Sequence, residues 1–193
     1  MVNDAFNYIA VLVSIIVGLT ATRVMSGLGE VIQAANRPRI YWVHVLWHLT
    51  LLYNVMLGWW LLYRWRVTTD WTFFLFMWIT IAPILTYLAA AILIPGELET
   101  TGSPDWRDYY FKNRRGFFLA FGAIAPLDII DTLLKGWQHF LAQGPFYLPF
   151  IAFWAISCLV AAITRNERYH KTCAIVFPSV QIVYMAVNLL HLG

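Results

Sequence analysis

Long apolar runs separated by short polar breaks dominate this chain. Six of them, at about residues 5–35, 40–63, 71–94, 116–134, 145–164 and 172–192, come close to or exceed the ~20 residues that cross a bilayer's hydrocarbon core. The breaks carry helix-stopping chemistry: Pro38 after the first run, Pro95-Gly96 after the third, and Gly136 and Gly144 between the fourth and fifth. The second run holds no Lys, Arg, Asp or Glu between Arg39 and Arg64. The pattern predicts an all-α fold, a polytopic bundle of six transmembrane helices. One longer polar stretch, 96–115, contains Ser103-Pro104-Asp105, a helix start with a hydroxyl cap, a proline in first position and an early acid. Asp108 and Lys112 follow four apart, and Trp106, Tyr109 and Tyr110 share a face, which predicts a short interfacial helix over about 104–114.

The first run carries a small residue at every fourth position: Ala10, Ser14, Gly18, Thr22 and Ser26. That spacing places all five on one helical face, where another backbone can approach closely. The stripe predicts that the first helix is the packing hub. The same run contains Arg23 and Glu30, seven apart and on one side.

Composition narrows the picture to a single transmembrane domain. The chain has 193 residues, 61% hydrophobic and 12% charged, against about 25% charged in soluble domains. Aromatics reach 17%, enough to furnish belts at both interfaces. A net charge of +3 would suggest nucleic acid in a soluble protein, but loop charges explain it here. With the N-terminus outside, Arg37, Arg39, Arg107, Lys112, Arg114, Arg115, Arg165, Arg168 and Lys171 fall inside, and only Arg64, Arg66 and Lys135 outside. The positive-inside rule then places both termini on the non-cytoplasmic side. The opening Met-Val-Asn-Asp lacks a basic leader, so the first run is expected to stay as a membrane helix. Cys158 and Cys173 match no metal or redox spacing and read as buried thiols.

Four groups could carry chemistry. His44 and His48, four apart on one face of the second helix, suit a metal or haem, or serve as interfacial aromatic-like side chains. Arg23 and Glu30 would join them at the inner mouth of the bundle, as an anion-attracting vestibule, a proton path or a buried ion pair. Asp128 and Asp131 share a face of the fourth helix just after Pro126, placed to hold a cation, pass a proton or face a water-filled depression, with Lys135 as a partner for Asp131. Lys112, Arg114 and Arg115 suit anionic lipid headgroups. Gln181 and Asn188, seven apart, read as interhelical hydrogen-bonding residues.

The opening FNYIAVLVSII, with Arg23 and Ser26-Gly27-Leu28 after it, resembles the start of a family of small multi-pass bacterial membrane proteins. The block DYYFKNRRGFF at 108–118 resembles a second segment shared by that family. The resemblance implies a bacterial inner-membrane protein and brings no activity with it. No nucleotide-binding glycine loop, serine–histidine–acid arrangement or CxxC is present, which argues against a soluble-type enzyme site. The sequence points to a homo-oligomeric channel or transport-type protein. It leaves two alternatives: an accessory subunit of a larger membrane complex, and a haem- or metal-binding redox protein using His44 or His48. Lipids and other membrane subunits are the expected partners, nucleic acid is not, and no cofactor is implied beyond that haem or metal.

Overall fold

In a computed structural model, residues 2–33, 40–94 and 105–188 are described. They form α1 (Val2–Gln33), α2 (Trp42–Leu62), a 3-10 turn (Tyr63–Val67), α3 (Phe73–Leu93), α4 (Trp106–Leu134), α5 (Trp137–Ala142), α6 (Tyr147–Ile163) and α7 (Glu167–Asn188), with no strand among the described residues. Five segments are long and apolar enough to cross a membrane: Ala5–Glu30, Trp42–Val67, Phe73–Leu93, Trp106–Leu134 and Glu167–Asn188. The chain is therefore a multi-pass helical membrane protein. α6 is apolar but has 17 residues, about 26 Å at 1.5 Å per residue, a little short of the ~30 Å hydrocarbon core.

The expected interfacial helix is not a separate element. Its residues open α4, which runs unbroken for 29 residues. A lone Gly116 weakens a helix without ending it, and tertiary bonds hold the polar turns against the bundle. The Tyr109 hydroxyl donates to the Ile92 carbonyl (3.1 Å), and Arg114 Nε donates to the Thr164 carbonyl (3.0 Å). Ser103 and Pro104 lie outside the described residues; Asp105 is the N-cap, accepting from the Arg107 and Asp108 amides at 2.9 and 3.3 Å. The loop expected at 165–171 is largely helical, since α7 begins at Glu167, and the turn expected at 136–144 holds α5.

The packing hub is α4, not α1. α4 touches α2, α3, α5 and α6, whereas α1 packs on α2, α3 and the 3-10 turn. α1 buries Ile9, Val13, Thr20, Val24 and Gly27, while Gly18, Thr22 and Ser26 of the small-residue stripe are exposed and Ala10 and Ser14 half-buried. Close backbone approach is made elsewhere. A Cβ on Gly122 would lie 2.7 Å from Cys158 Cβ, and one on Gly27 would lie 2.8 Å from Ile94 Cγ2. Those glycines let α4 meet α6 and α1 meet α3, the role small residues play where lipid offers no hydrophobic drive.

Two apolar clusters result. The larger is centred on α4, with Trp47, Phe117, Phe118, Phe121 and Phe177 fully buried. Most of their rings meet edge-on or tilted, as between Trp47 and Phe118 (centroids 4.9 Å apart) and Phe121 and Phe177 (5.6 Å), while Phe117 and Phe121 lie parallel (5.8 Å), geometries that satisfy the ring quadrupoles. The smaller gathers Ile9, Val13, Leu62, Trp65 and Ile79 from α1, α2, the 3-10 turn and α3. It lies at the end of the bundle that carries α5.

Candidate functional site: a cavity at the α5 end

Of the histidines and charges expected to form a vestibule, His44 and Arg23 join helices at the end away from α5. His44 Nε2 donates to the Leu93 carbonyl (2.7 Å) and Arg23 Nη2 to the Ile94 carbonyl (3.1 Å), so together they cap the C-terminus of α3. Terminal carbonyls have no intrahelical donor, and a basic group there also meets the negative end of the helix dipole. Glu30 is exposed. His48 Nδ1 donates to the His44 carbonyl (2.8 Å), and its buried Nε2 has no hydrogen-bond partner among the described residues. Among the described residues, no three His, Cys, Asp or Glu side chains gather as a metal-binding group.

The residues expected at lipid headgroups divide. Arg114 donates to the carbonyls of Phe111 (2.8 Å), Thr164 (3.0 Å) and Ile163 (3.4 Å), closing the C-terminus of α6, while Lys112 and Arg115 are exposed. Trp106 and Tyr110, expected to face the interface, are buried in the bundle. Tyr110 donates its hydroxyl proton to His170 Nδ1 (2.8 Å), whose Nε2 donates to the Thr164 carbonyl (3.0 Å). Cys158 and Cys173 are free and buried, as read from the sequence.

Where the two apolar clusters part, a cavity of about 200 Å3 opens between the helices. Its inner walls are mainly apolar and aromatic, with Val13 and Val17 from α1, Trp78 and Pro83 from α3, and Phe150 and Trp154 from α6, interrupted by Thr20, Asn54 and Thr86. Towards the α5 end its lining becomes polar. Asp128 and Asp131 both line it, and their spacing of three on α4 is what turns them to the same space. The Tyr147 hydroxyl donates to Asp128 Oδ2 (2.8 Å) and lies 3.0 Å from Thr132 Oγ1. Asp131 pairs with Lys135 one turn on, as the sequence suggested, and the Lys135 ammonium stands 4.9 Å over the Trp65 ring. Arg64, from the 3-10 turn, lines both this cavity and an adjoining rim groove shared with Arg66, His139, Gln143 and Asn188.

Asn54 also lines the cavity and fixes α2 to α7 through a reciprocal amide pair. Gln181 Nε2 donates to Asn54 Oδ1 (2.7 Å), and Asn54 Nδ2 donates back to Gln181 Oε1 (3.1 Å). Gln181 thus makes the interhelical bond expected of it, whereas exposed Asn188 bonds within its own helix to the Tyr184 carbonyl (2.8 Å).

Half-buried His139, on α5 beside Gln143, has its pKa lowered by burial and then by the cations Lys135 and Arg64, opposed by Asp131. The folded protein therefore keeps His139 neutral to lower pH than the unfolded chain does. The stability this neutral form supports is fully present above the ordinary value of 6.5 and is lost as pH falls below it. Melting temperature measured between pH 7.5 and pH 5 is expected to fall less steeply in His139→Gln than in the parent. Identical slopes would remove His139 from the pH response.

Sequence reasoning placed Asp128, Asp131 and Lys135 correctly relative to one another but missed Arg64, Thr132, Tyr147 and Trp154. Arg64 was read only as a loop charge. Tyr147 and Trp154, seven apart and so on one face of α6, were the available signal. Compared with known protein families, characterised proteins and solved structures, the chain is matched by no family model, no characterised protein and no solved structure.

Proposed function

We propose that this chain is a transport-type membrane protein that admits a small organic molecule into the cavity at its α5 end. One observation carries the reading: a cavity inside a single chain, charged towards one end of the bundle and mainly apolar in its depth. That layout is how small-molecule sites combine a few placed polar groups with an apolar body. Beyond the cavity, the packed rings of Trp47, Phe117, Phe118, Phe121 and Phe177 fill the other half of the bundle. Access from one side with closure on the other favours alternating access over an open channel. Because the polar path lies within one chain, transport does not depend on an oligomer.

The finer placement belongs to the same proposal. α6 makes a sixth crossing, both termini and the cavity mouth lie outside the cytoplasm, and the membrane is the bacterial inner membrane. Homo-oligomerisation is a separate element, and the exposed side of α1 bearing Gly18, Thr22 and Ser26 is the face it would use.

Native mass spectrometry of protein released gently from membranes tests these points in one spectrum. A chain carrying a bound small organic molecule, alone or in a homo-oligomer, is the expected result. A ligand-free complex with unrelated subunits would replace this reading with that of an accessory subunit. A chain carrying haem would instead direct attention to His48.

A further inference from the structure

Resting on the reading of the cavity as a small-molecule site, the charges that line it specify the molecule further. Asp131 and Lys135 neutralise one another. Arg64 has no hydrogen bond, and no carboxylate within 4.0 Å, among the described residues. Asp128 is hydrogen-bonded by the neutral Tyr147 hydroxyl and likewise has no cation within 4.0 Å. The cavity therefore presents one guanidinium and one carboxyl group that no ion pair within 4.0 Å satisfies among the described residues. They come from different elements, form no ion pair with one another within 4.0 Å, and line the same space, across which the charges of Lys135 and Arg64 act on Asp128. Charges inside a membrane protein are costly unless something supplies their partners, and such residues mark ligand sites more often than structural ones.

The remaining lining fits a ligand that carries both missing charges. Trp78, Trp154, Tyr147 and Tyr184 also line the space, aromatic side chains of the kind that attract organic ammonium groups. The Trp154 indole N–H is buried without a hydrogen-bond partner among the described residues. A cavity of about 200 Å3 exceeds the ~150 Å3 that holds benzene, leaving room for a side chain of leucine or phenylalanine size.

We propose that the cavity binds a small zwitterion with an apolar body, its ammonium at Asp128 and its anionic group at Arg64. A simple anion would leave Asp128 unmatched, and a simple cation would leave Arg64 unmatched. The two charges thus select jointly, each removing analogues that lack one group.

Binding measured by titration calorimetry in an uncharged maltoside detergent tests this with matched probes. L-Phenylalanine is compared with 3-phenylpropanoate and 2-phenylethylamine, and L-leucine with 4-methylpentanoate and 3-methylbutylamine. At least one zwitterion is expected to bind about tenfold or more tightly than both of its single-charge analogues, the scale of one charge-assisted hydrogen bond. Arg64→Gln is expected to bring that zwitterion down to the level of its amine analogue while leaving the amine unchanged, and Arg64→Lys to recover part of the loss. Asp128→Asn, which keeps an acceptor for Tyr147, is expected to do the converse with the carboxylate analogue. If single-charge analogues bind the parent protein as tightly as the zwitterions, or if Arg64→Gln weakens all probes alike, the zwitterion assignment fails and the small-molecule cavity stands. If no probe of any charge binds protein whose melting transition shows it folded, both readings fall.

Discussion

Phe121→Ala is expected to destabilise the protein by about 3 kcal/mol and to deepen the cavity into the other half of the bundle. Phe121 is fully buried on α4 and touches the rings of Phe117, Trp154 and Phe177, with centroids 5.8, 5.2 and 5.6 Å away. Trp154 is itself part of the cavity wall, so Phe121 stands directly behind that wall. Truncating a buried phenylalanine in a soluble core costs about 3–5 kcal/mol, part of it transfer from water and part the void left behind. In a membrane the water-transfer part shrinks, because lipid is as apolar as the core, and lost dispersion contacts remain. The loss should therefore sit at the low end of that range. Unfolding by a denaturing detergent checks the stability, and Phe121→Leu should cost less because it fills more of the gap. A change below about 0.5 kcal/mol, the size of an ordinary surface substitution, would show that the aromatic layer does not close the bundle.

Gly122→Val is expected to be the most damaging single substitution at the α4–α6 contact. Any Cβ at position 122 would stand 2.7 Å from Cys158 Cβ, an atom fixed to the α6 backbone that cannot rotate away. The helices must move apart, and overpacking of this kind typically costs about 1–3 kcal/mol. Separation would also strain the bonds that join the same two helices at both ends, Tyr147 to Asp128 and Arg114 to the Thr164 carbonyl. Gly122→Ala should show a smaller loss in the same direction. Combining either variant with Cys158→Gly, which removes the opposing Cβ, should restore part of the stability, and absence of any rescue would place the clash elsewhere. By contrast, Gly18→Ala should be nearly neutral in the monomer, because a Cβ there meets nothing within 4 Å.

These two positions show where sequence reading stopped. A stripe of small residues on α1 has the pattern of a packing face, but five positions at a spacing of four do not say which neighbour is present. The bundle turned Gly18, Thr22 and Ser26 outward and used Gly27 and Gly122, which lie off that four-residue stripe. The histidines illustrate the same limit. Spacing put His44 and His48 on one face, and only the position of the α3 C-terminus made His44 a cap on the Leu93 carbonyl.

Local chemistry was legible wherever it acted within one helix. Asp131 and Lys135, four apart, pair as expected, and the pattern of long apolar runs placed every major helix, with boundaries that moved by a few residues except at α4 and α7. At both exceptions polar residues begin the helix. Hydropathy reads such residues as loop, whereas helices extend through polar residues when tertiary partners satisfy their side chains, as Tyr109 and Arg114 are satisfied on α4 and His170 on α7.

By itself, the sequence determined that this is a multi-pass helical membrane protein, because a bilayer admits only long apolar segments that satisfy their own backbone hydrogen bonds. It also determined that Asp128 and Asp131 share a face, because helical periodicity is a local property. Only the tertiary structure decided that α4 is the centre of the bundle and that a cavity opens between two apolar clusters. The same is true of Arg64, Asp128 and Tyr147, which come from three separate elements to line that cavity. Such convergence depends on how side chains of different helices interlock, and this packing leaves no periodic trace along the chain.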